Sequence, residues 1–356
     1  METNNNKNEL SPANLQLVKT IRQLLGVIVA LLCGMFSLMF FLIFGVPDFI
    51  GKKNTSTETT AAISSTSTEK SKSKFWEAPD SATISDEEVR YGKELIAHTS
   101  EYLGPNGKVM KTTNGMNCQN CHLDAGTKVF GNNYSAVAST YPKFRARSGT
   151  SENIEKRVND CIERSLNGKA LENAGKEMKA IVAYIKWVGK DVPKGESPKG
   201  SGLVEVPFLE RAADPGKGKL VYDAKCKSCH QANGNGLLNT EKTAYTYPPL
   251  WGEHSYNYGA GLFRLSRFAG YVKANMPLGA THANTQLTDE EAWDVAAFAN
   301  SQPRPKKDLS ADWPDISKKP VDHPFGPYSD EFSEQQHKYG PFPPIKKAAQ
   351  EKKKTT

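Results

Sequence analysis

The chain contains the five-residue pattern C-x-x-C-H twice, and this pattern constrains its fold more than any other feature. The two copies are Cys118-Gln-Asn-Cys121-His122 and Cys226-Lys-Ser-Cys229-His230. Two thiols three positions apart on a helical turn can both form thioethers to a porphyrin, and the adjacent histidine can then coordinate the iron. The alternative is a zinc site, but no second C-x-x-C lies within zinc-finger spacing of either copy. The sequence therefore predicts two covalently bound haem c groups.

The remaining cysteines point to one unusual thiol. The chain has six cysteines, and the two motifs use four of them. Cys33 lies in an apolar run, where a cysteine is an inert small hydrophobe. Cys161 is left without a partner for a structural disulfide, and a free thiol is unusual in an oxidising compartment. We therefore expect Cys161 to have a functional role.

The N-terminal region predicts a membrane anchor. Residues 24–44 carry no charge and are almost wholly apolar, a stretch long enough to span a bilayer, and no cleavage site follows them. We expect residues 1–23 to be cytoplasmic and residues 45–75 to form a flexible tether. Because bacterial haem attachment takes place outside the cytoplasmic membrane, the bulk of the chain is predicted to be periplasmic.

The charge of the chain gives no support for a nucleic-acid partner. The formal net charge is +7, and lysines in residues 51–74 and 346–356 account for all of it. Basic ends of this kind are solvated or contact lipid headgroups. The middle of the chain is neutral overall.

An internal repeat predicts an all-α fold of two cytochrome c domains in tandem, preceded by one transmembrane helix. Both motifs are followed by a glycine-rich loop and then a final helix, near Glu177–Trp187 and Asp289–Asn300. Ser85-Asp-Glu-Glu88 and Thr288-Asp-Glu-Glu291 look like equivalent helix starts with capping boxes. The predicted divisions are 76–192 for domain 1, 193–214 for a linker, 215–303 for domain 2, 304–345 for a wrapping segment and 346–356 for a disordered basic tail.

A haem attached in this way has a sixth iron position, which a side chain can fill or substrate can use. In the second domain Met276 lies in a loop-like segment, Asn275-Met-Pro-Leu-Gly279. We predict that Met276 is the distal ligand of the second haem. His254 and His282 are the alternatives, and either would lower the haem potential.

The internal repeat predicts that Cys161 occupies the distal-ligand position of the first haem. When Ala183-Tyr184-Ile185 is aligned with Ala297-Phe298-Ala299, Met276 falls on Ile162, one residue from Cys161. A thiolate ligand makes iron hard to reduce, which benefits sulfur chemistry more than simple electron transfer. The alternative is a buried, inert cysteine.

An arginine-rich window surrounds Cys161. It contains four of the ten arginines of the chain, namely Arg145, Arg147, Arg157 and Arg164. On a helix Arg157, Cys161 and Ser165 share one face. Arginine forks bind oxyanions, and a serine can donate one more hydrogen bond. The alternative is that these arginines pair with Glu152, Glu155 or Asp160, or bind haem propionates.

Four segments together resemble the di-haem thiosulfate dehydrogenase (tetrathionate synthase) family, over roughly residues 76–345. They are Arg157-Val-Asn-Asp-Cys161-Ile-Glu-Arg-Ser-Leu-Asn-Gly168, Tyr247-Pro-Pro-Leu-Trp-Gly-Glu-His-Ser-Tyr256, Asn275-Met-Pro-Leu-Gly279 and Leu287-Thr-Asp-Glu-Glu-Ala-Trp293. The resemblance implies that Cys161 is the distal ligand of a catalytic haem, and that Arg157 and Ser165 hold substrate. It also implies that a second haem, on His230 and Met276, relays electrons.

The chain departs from the family pattern at one ligand. Some members have a lysine just before this methionine as a second, redox-switched ligand. This chain has Asn275 there, so a simple His/Met state is expected. The membrane anchor is a second departure, because some members are soluble periplasmic proteins.

These observations predict an oxidoreductase that interconverts thiosulfate and tetrathionate in either direction. The candidate catalytic residues are Cys161, Arg157, Ser165 and Arg164. A periplasmic or membrane electron acceptor or donor, cytochrome or quinol-linked, is the expected partner. The alternatives are a di-haem electron-transfer protein without substrate chemistry and a di-haem peroxidase.

Overall fold

The structure is a computed structural model that describes residue 16 and residues 19–33 and 74–355. The chain divides into two compact units, Met1–Thr68 and Glu69–Thr356. Both C-x-x-C-H motifs lie in the second unit.

In the first unit, residues 19–33 are helical and exposed. Among the residues that the structure describes, no helix is both long enough and apolar enough to cross a membrane. The predicted anchor at 24–44 extends beyond residue 33 into a stretch outside the described residues. The anchor therefore stays a prediction.

The second unit is mainly helical, with two short antiparallel hairpins, β1–β2 and β3–β4. Its helices are α1 (Glu87–Ala97), α2 (Thr99–Leu103), α3 (Leu123–Gly126), α4 (Val137–Thr140), α5 (Ile154–Arg164), α6 (Lys176–Val188), α7 (Pro215–Lys225), α8 (Lys227–His230), α9 (Leu265–Asn275), α10 (Asp289–Ser301), α11 (Glu334–Tyr339) and α12 (Pro343–Thr355). Its strands are β1 (Lys143–Arg145), β2 (Thr150–Glu152), β3 (Leu237–Leu238) and β4 (Tyr245–Tyr247). Short 3₁₀ segments lie at Ser81–Thr83, Cys118–Asn120, Gly261–Phe263 and Ile316–Lys318.

Helices α1 and α6 make the closest helix contact of the first half of this unit. A Cβ atom at Gly92 would lie 1.9 Å from the carbonyl oxygen of Ala180 and 2.9 Å from the Cβ atom of Tyr184. Only a glycine permits the two backbones to approach this closely. Apolar side chains beside the crossing, including Leu95 and Ile181, are buried in one core cluster.

Helices α7 and α10 cross in the same way in the second half. A Cβ atom at Gly218 would lie 1.8 Å from the carbonyl oxygen of Asp294 and 2.9 Å from the Cβ atom of Phe298. Asp294 and Phe298 therefore occupy the places that Ala180 and Tyr184 hold in the first half. This correspondence confirms the predicted alignment of the two final helices, in which Tyr184 falls on Phe298.

The two predicted helix starts are not equivalent in the repeat. The first begins α1, where Asp86 rather than Ser85 accepts hydrogen bonds from the backbone N–H groups of Glu88 and Val89. The second begins α10, where Thr288 forms a capping box. One start therefore opens the first helix of its domain and the other opens the last. The same four-residue chemistry satisfies the free N–H groups of any helix start, so the pattern alone does not identify the helix.

Residues 193–214 pack against the domains and do not form a free linker. The backbone N–H of Phe130 donates to the carbonyl of Gly200 at 2.8 Å, and that of Asn132 donates to Gly202 at 2.9 Å. Farther along, Leu203 is buried in the core of the second half. This segment therefore joins the first-motif region to the second core.

Helix α12 extends over Pro343–Thr355, within the stretch for which the composition predicts a disordered tail. The side chains of Phe342 and Ile345 are buried in the core of the second half and hold the start of the helix. The lysine-rich composition predicts disorder only if no apolar residue anchors the segment, and these two residues precede most of the lysines. The preceding segment, 304–345, contacts both halves through ion pairs described below.

Candidate functional site

The imidazole of His122, in the first C-x-x-C-H motif, is held by a backbone carbonyl. Its Nδ1 donates a hydrogen bond to the carbonyl oxygen of Asn132 at 2.6 Å. Because a carbonyl can only accept, the proton is on Nδ1 and the lone pair is on Nε2. The ring of Tyr134 stacks on His122, with the ring centroids 4.6 Å apart. This arrangement leaves Nε2 of His122 as the nitrogen that can bind a metal.

Helix α5 faces the first motif across a cavity of about 160 Å³. The helix begins after Asn153, whose side chain accepts a hydrogen bond from the N–H of Lys156 at 2.9 Å. Ile154 and Ile162 are buried and fix its rotation. Cys161 therefore lines the cavity together with His122. The two candidate iron ligands of the first haem thus share one cavity.

The three cysteines that line this cavity differ in charge. Burial raises the pKa of Cys118 to about 11 and that of Cys121 to about 12. Burial acts on Cys161 in the same direction, but the Arg157 guanidinium and His122 outweigh it and lower the pKa of Cys161 to about 6. At neutral pH Cys161 is therefore a thiolate, which is the nucleophilic and metal-binding form.

The arginine window divides into paired and unpaired members. Arg157 and Ser165 line the cavity beside Cys161. Among the residues that the structure describes, no carboxylate forms an ion pair with Arg157, and the charge of Cys161 raises the pKa of its guanidinium. By contrast, Arg147 donates to the buried Asp160 at 2.8 Å.

The structure does not support a substrate role for Arg164. Its guanidinium makes a two-pronged ion pair with Asp312, with both N···O distances 2.7 Å. It is absent from the set of residues that line the cavity. Local spacing around Cys161 cannot reveal this ion pair, because Asp312 comes from the distant C-terminal segment.

The second histidine is held in the same way as the first. Nδ1 of His230 donates to the carbonyl oxygen of Pro248 at 2.8 Å, and burial lowers the pKa of the imidazole, which stays neutral. A larger cavity of about 520 Å³ is lined by this histidine, Cys226, Cys229 and Met276. The Met276 thioether is thus brought to the cavity of the second motif.

The two alternative ligands lie elsewhere. His254 is exposed. His282 contacts the rings of Phe75 and Phe130, with centroid distances of 4.7 and 5.2 Å. Neither histidine lines the second cavity. The geometry therefore favours Met276 over both.

The residues that line both cavities suit a covalently attached haem. Each cavity contains the two thiols and the imidazole of one C-x-x-C-H motif, and Nδ1 of that imidazole is tied to a carbonyl, so that Nε2 is available to coordinate iron. Each also brings a sulfur side chain into the same space, Cys161 in the first cavity and Met276 in the second. The surrounding walls are mostly apolar, as a porphyrin requires.

Several residues that build these two sites could not be identified from the sequence. Asn132 and Pro248 act through their backbone carbonyls, which leave no trace in side-chain patterns. Tyr141 lines the first cavity, and Tyr134 stacks on the first histidine, but isolated tyrosines carry no motif. Only the carbonyl partners could have been expected in advance, because a metal-binding histidine usually donates its second N–H to a group of this kind.

Comparison with known proteins agrees with this geometry. The family described as "SoxA/TsdA, cytochrome c domain" matches residues 108–193, and the family described as "Cytochrome c" matches residues 216–303. A thiosulfate dehydrogenase of Psychrobacter arcticus is 40% identical over 242 residues, which cover 66% of this chain and 71% of that protein. One of Allochromatium vinosum is 40% identical over 220 residues, covering 61% of this chain and 76% of that protein.

A solved structure is also similar. It is the thiosulfate dehydrogenase TsdBA from Marichromatium purpuratum in its "as isolated" form, with a TM-score of 0.60 and 30% sequence identity. The similarity covers 65% of this chain and 50% of that one.

The fold and the two sites define a c-type cytochrome with two tandem, helix-rich cytochrome c domains and two covalently bound haem c groups. These parts of the sequence prediction are confirmed. The chain belongs to the thiosulfate dehydrogenase family and is an oxidoreductase.

Proposed function

We propose that this protein joins two thiosulfate ions into tetrathionate, with release of two electrons, and that it also catalyses the reverse reaction. One observation carries the proposal. The thiol of Cys161, with a pKa of about 6, faces His122 beside the unpaired Arg157. A plain electron carrier has no need of a nucleophile and an anion-binding group at its haem.

The Cys161 thiolate is the nucleophile of the proposed reaction. In the reducing direction Sγ attacks a central sulfur of tetrathionate, a new S–S bond forms, and one thiosulfate leaves. Two electrons then cleave the bond between Sγ and the remaining group, which releases the second thiosulfate and restores the thiolate. Oxidation of thiosulfate follows the same steps in reverse, and the two electrons leave the site.

Arg157 and Ser165 hold the sulfonate end of the substrate in this proposal. Support comes from their position on the cavity wall beside Cys161. The guanidinium offers a pair of N–H donors that match sulfonate oxygens, and the hydroxyl offers one more. Arg147 adds positive charge near Cys161, although its ion pair with Asp160 neutralises much of that charge. Fixed donors of this kind stabilise the charge that develops on the departing thiosulfate.

The bound haems supply one-electron acceptance and donation. His122 and Cys161 would hold the first iron, and His230 and Met276 would hold the second. The second domain would then pass electrons to a periplasmic or membrane partner, either a cytochrome or a quinol-linked protein. The proximity of the two cavities, which share wall residues, supports this relay.

The proposal also includes a location, with residues 24–44 as a single-pass anchor and both domains in the periplasm. The long uncharged stretch and the need for haem attachment outside the cytoplasm support it. Full-length protein should stay with membranes washed in alkaline carbonate and be released by detergent. External protease should digest its haem domains in spheroplasts. Recovery in the soluble fraction would contradict the anchor.

An anaerobic assay of the purified holoprotein tests the activity. Added thiosulfate should reduce the haem spectrum, with tetrathionate formed in proportion, and a reduced dye should drive tetrathionate back to thiosulfate. A protein that exchanges electrons with dyes but forms no sulfur product would instead be an electron carrier. Turnover of peroxide without sulfur chemistry would indicate a peroxidase.

A further inference from the structure

The first haem motif is tied to the second domain by a buried tyrosine. The hydroxyl of Tyr271 donates to the carbonyl oxygen of Asn120 at 2.7 Å. Asn120 stands directly before Cys121 in the first C-x-x-C-H motif. Tyr271 lies on α9, the helix that ends just before Met276, and only 5% of its surface is exposed. One hydrogen bond therefore joins the attachment turn of the first haem to the ligand helix of the second.

Asn275 makes a second tie one helical turn later. Its Nδ2 donates to the carbonyl oxygen of Phe130 at 3.0 Å, as well as to the carbonyl of Tyr271. Phe130 belongs to the loop whose Asn132 carbonyl holds His122. The Oδ1 atom of Asn275 is buried without a hydrogen-bond partner among the described residues. Leaving this oxygen unpaired is unfavourable, and among the described residues the Asn275 side chain forms hydrogen bonds through its amide N–H groups alone.

The two cavities meet at the segment that these ties hold. Cys121 lines the cavity of the first motif and also the cavity of the second. Asn120 and Leu123, on either side of it in the motif region, line the second cavity as well. A covalent attachment point of the first haem therefore forms part of the wall around the second.

We infer that Tyr271 and Asn275 are positioning residues that fix the Cys121 segment against the second haem site and so set the rate of electron transfer between the haems. Electron tunnelling falls steeply as distance grows, so the rate would depend on how firmly the turn that carries Cys121 is held between the two cavities. The inference rests on the relay role proposed for the second haem. It assigns no contact with substrate to either residue.

The test measures electron transfer between the haems without a sulfur substrate. A sub-stoichiometric pulse of photochemical reductant is given to the oxidised holoprotein, and redistribution between the two haems is followed by absorbance. Tyr271→Phe, which removes only the hydroxyl, should slow redistribution severalfold, because the turn that carries Cys121 loses the hydrogen bond that holds it to α9. The spectrum and potential of each haem should stay as in the parent protein.

Tyr328→Phe is the matched control. The hydroxyl of Tyr328 also donates to a backbone carbonyl, that of His323 at 3.1 Å, but Tyr328 lines neither cavity. Its loss should leave the rate between the haems unchanged. If Tyr271→Phe does not assemble, Asn275→Ala carries the same expectation for the tie to Phe130.

Parent-like rates in both Tyr271→Phe and Asn275→Ala would overturn the inference. So would an altered spectrum of the second haem in Tyr271→Phe, because it would show that the residue shapes that haem site instead of the connection. A protein that forms no tetrathionate would disprove the proposed function, yet the rate between its haems could still be measured. The two failures are therefore distinguishable.

Discussion

Cys161 owes its charge to its neighbours, and chiefly to Arg157. Burial acts to raise the pKa of its thiol, but the Arg157 guanidinium and His122 outweigh burial and lower that pKa to about 6. Arg157 is thus suited both to keep the thiolate ionised and to bind an anion that approaches it.

Replacing Arg157 tests this double role. Arg157→Ala should lower kcat/KM for thiosulfate oxidation roughly thirtyfold, because a charged hydrogen bond to the sulfonate is lost. This change corresponds to about 2 kcal/mol of transition-state stabilisation. The control is Arg145→Ala, which removes an arginine of the same window that does not line the cavity. Steady-state kinetics on fully haem-loaded protein give the comparison. Equal losses in both variants would show that general charge, and not a specific contact, is responsible.

Met276 gives a spectroscopic prediction. Met276→Ala should abolish the sulfur-to-iron absorption band of the second haem and lower its potential, because the thioether that lines the second cavity would be gone. Absorption spectra and a redox titration measure both changes. An unchanged spectrum would return the assignment to His254 or His282, despite their positions outside that cavity.

At the scale of elements, α9 depends on a cap from elsewhere in the chain. Its own N-cap position, Arg264, makes no side-chain cap. Asp322, from the C-terminal segment, accepts hydrogen bonds from the N–H of Ser266 at 3.0 Å and from Nε of Arg264 at 2.9 Å. Although burial opposes ionisation, these partners hold the pKa of Asp322 below its usual range.

Asp322→Ala should therefore destabilise the protein by about 2–3 kcal/mol, from a lost cap and a broken buried ion pair. The effect depends on pH in a defined direction. Because the pKa of Asp322 is lower in the folded than in the unfolded state, its contribution is complete above about pH 4 and is lost as pH falls through the folded pKa. Thermal unfolding should show a Tm difference from the parent at pH 7 that shrinks towards pH 3. A constant difference would contradict the assigned charge.

At this scale, regular apolar patterns were predictable from the sequence, whereas distant partners and repeated cap chemistry were not. The final helices could be aligned because Tyr184 and Phe298 lie on regular apolar patterns. The cap of α9 could not be predicted, since its acceptor is more than fifty residues away. The two capping patterns were matched wrongly because identical local chemistry serves different helices.

At the scale of the whole molecule, the C-terminal segment 304–345 forms ion pairs with both domains. Asp312 pairs with Arg164 of the first half, and Asp322 pairs with Arg264 of the second. The two haem groups and the family were predictable from sequence, because covalent haem attachment demands fixed spacing. The ion pair of Arg164 was not, because Asp312 joins it only in the folded chain.

Arg164→Ala should consequently reduce stability and leave chemistry intact. Both side chains of the pair are only 11% exposed, so removal of one partner should cost about 3 kcal/mol. Turnover per assembled haem should stay close to that of the parent. Denaturant unfolding measures the first effect and steady-state kinetics the second. A loss of turnover in fully folded protein would restore a substrate role for Arg164.

The proposed reaction requires Cys161 as both distal ligand and nucleophile, and the variant Cys161→Met tests this requirement directly. Methionine can occupy the same ligand position but cannot act as a thiolate nucleophile. The variant should contain two haems by mass and haem stain, and interconversion of thiosulfate and tetrathionate should fall by about a thousandfold or more. Near-normal turnover in fully haem-loaded Cys161→Met would contradict the account and favour a simple electron carrier.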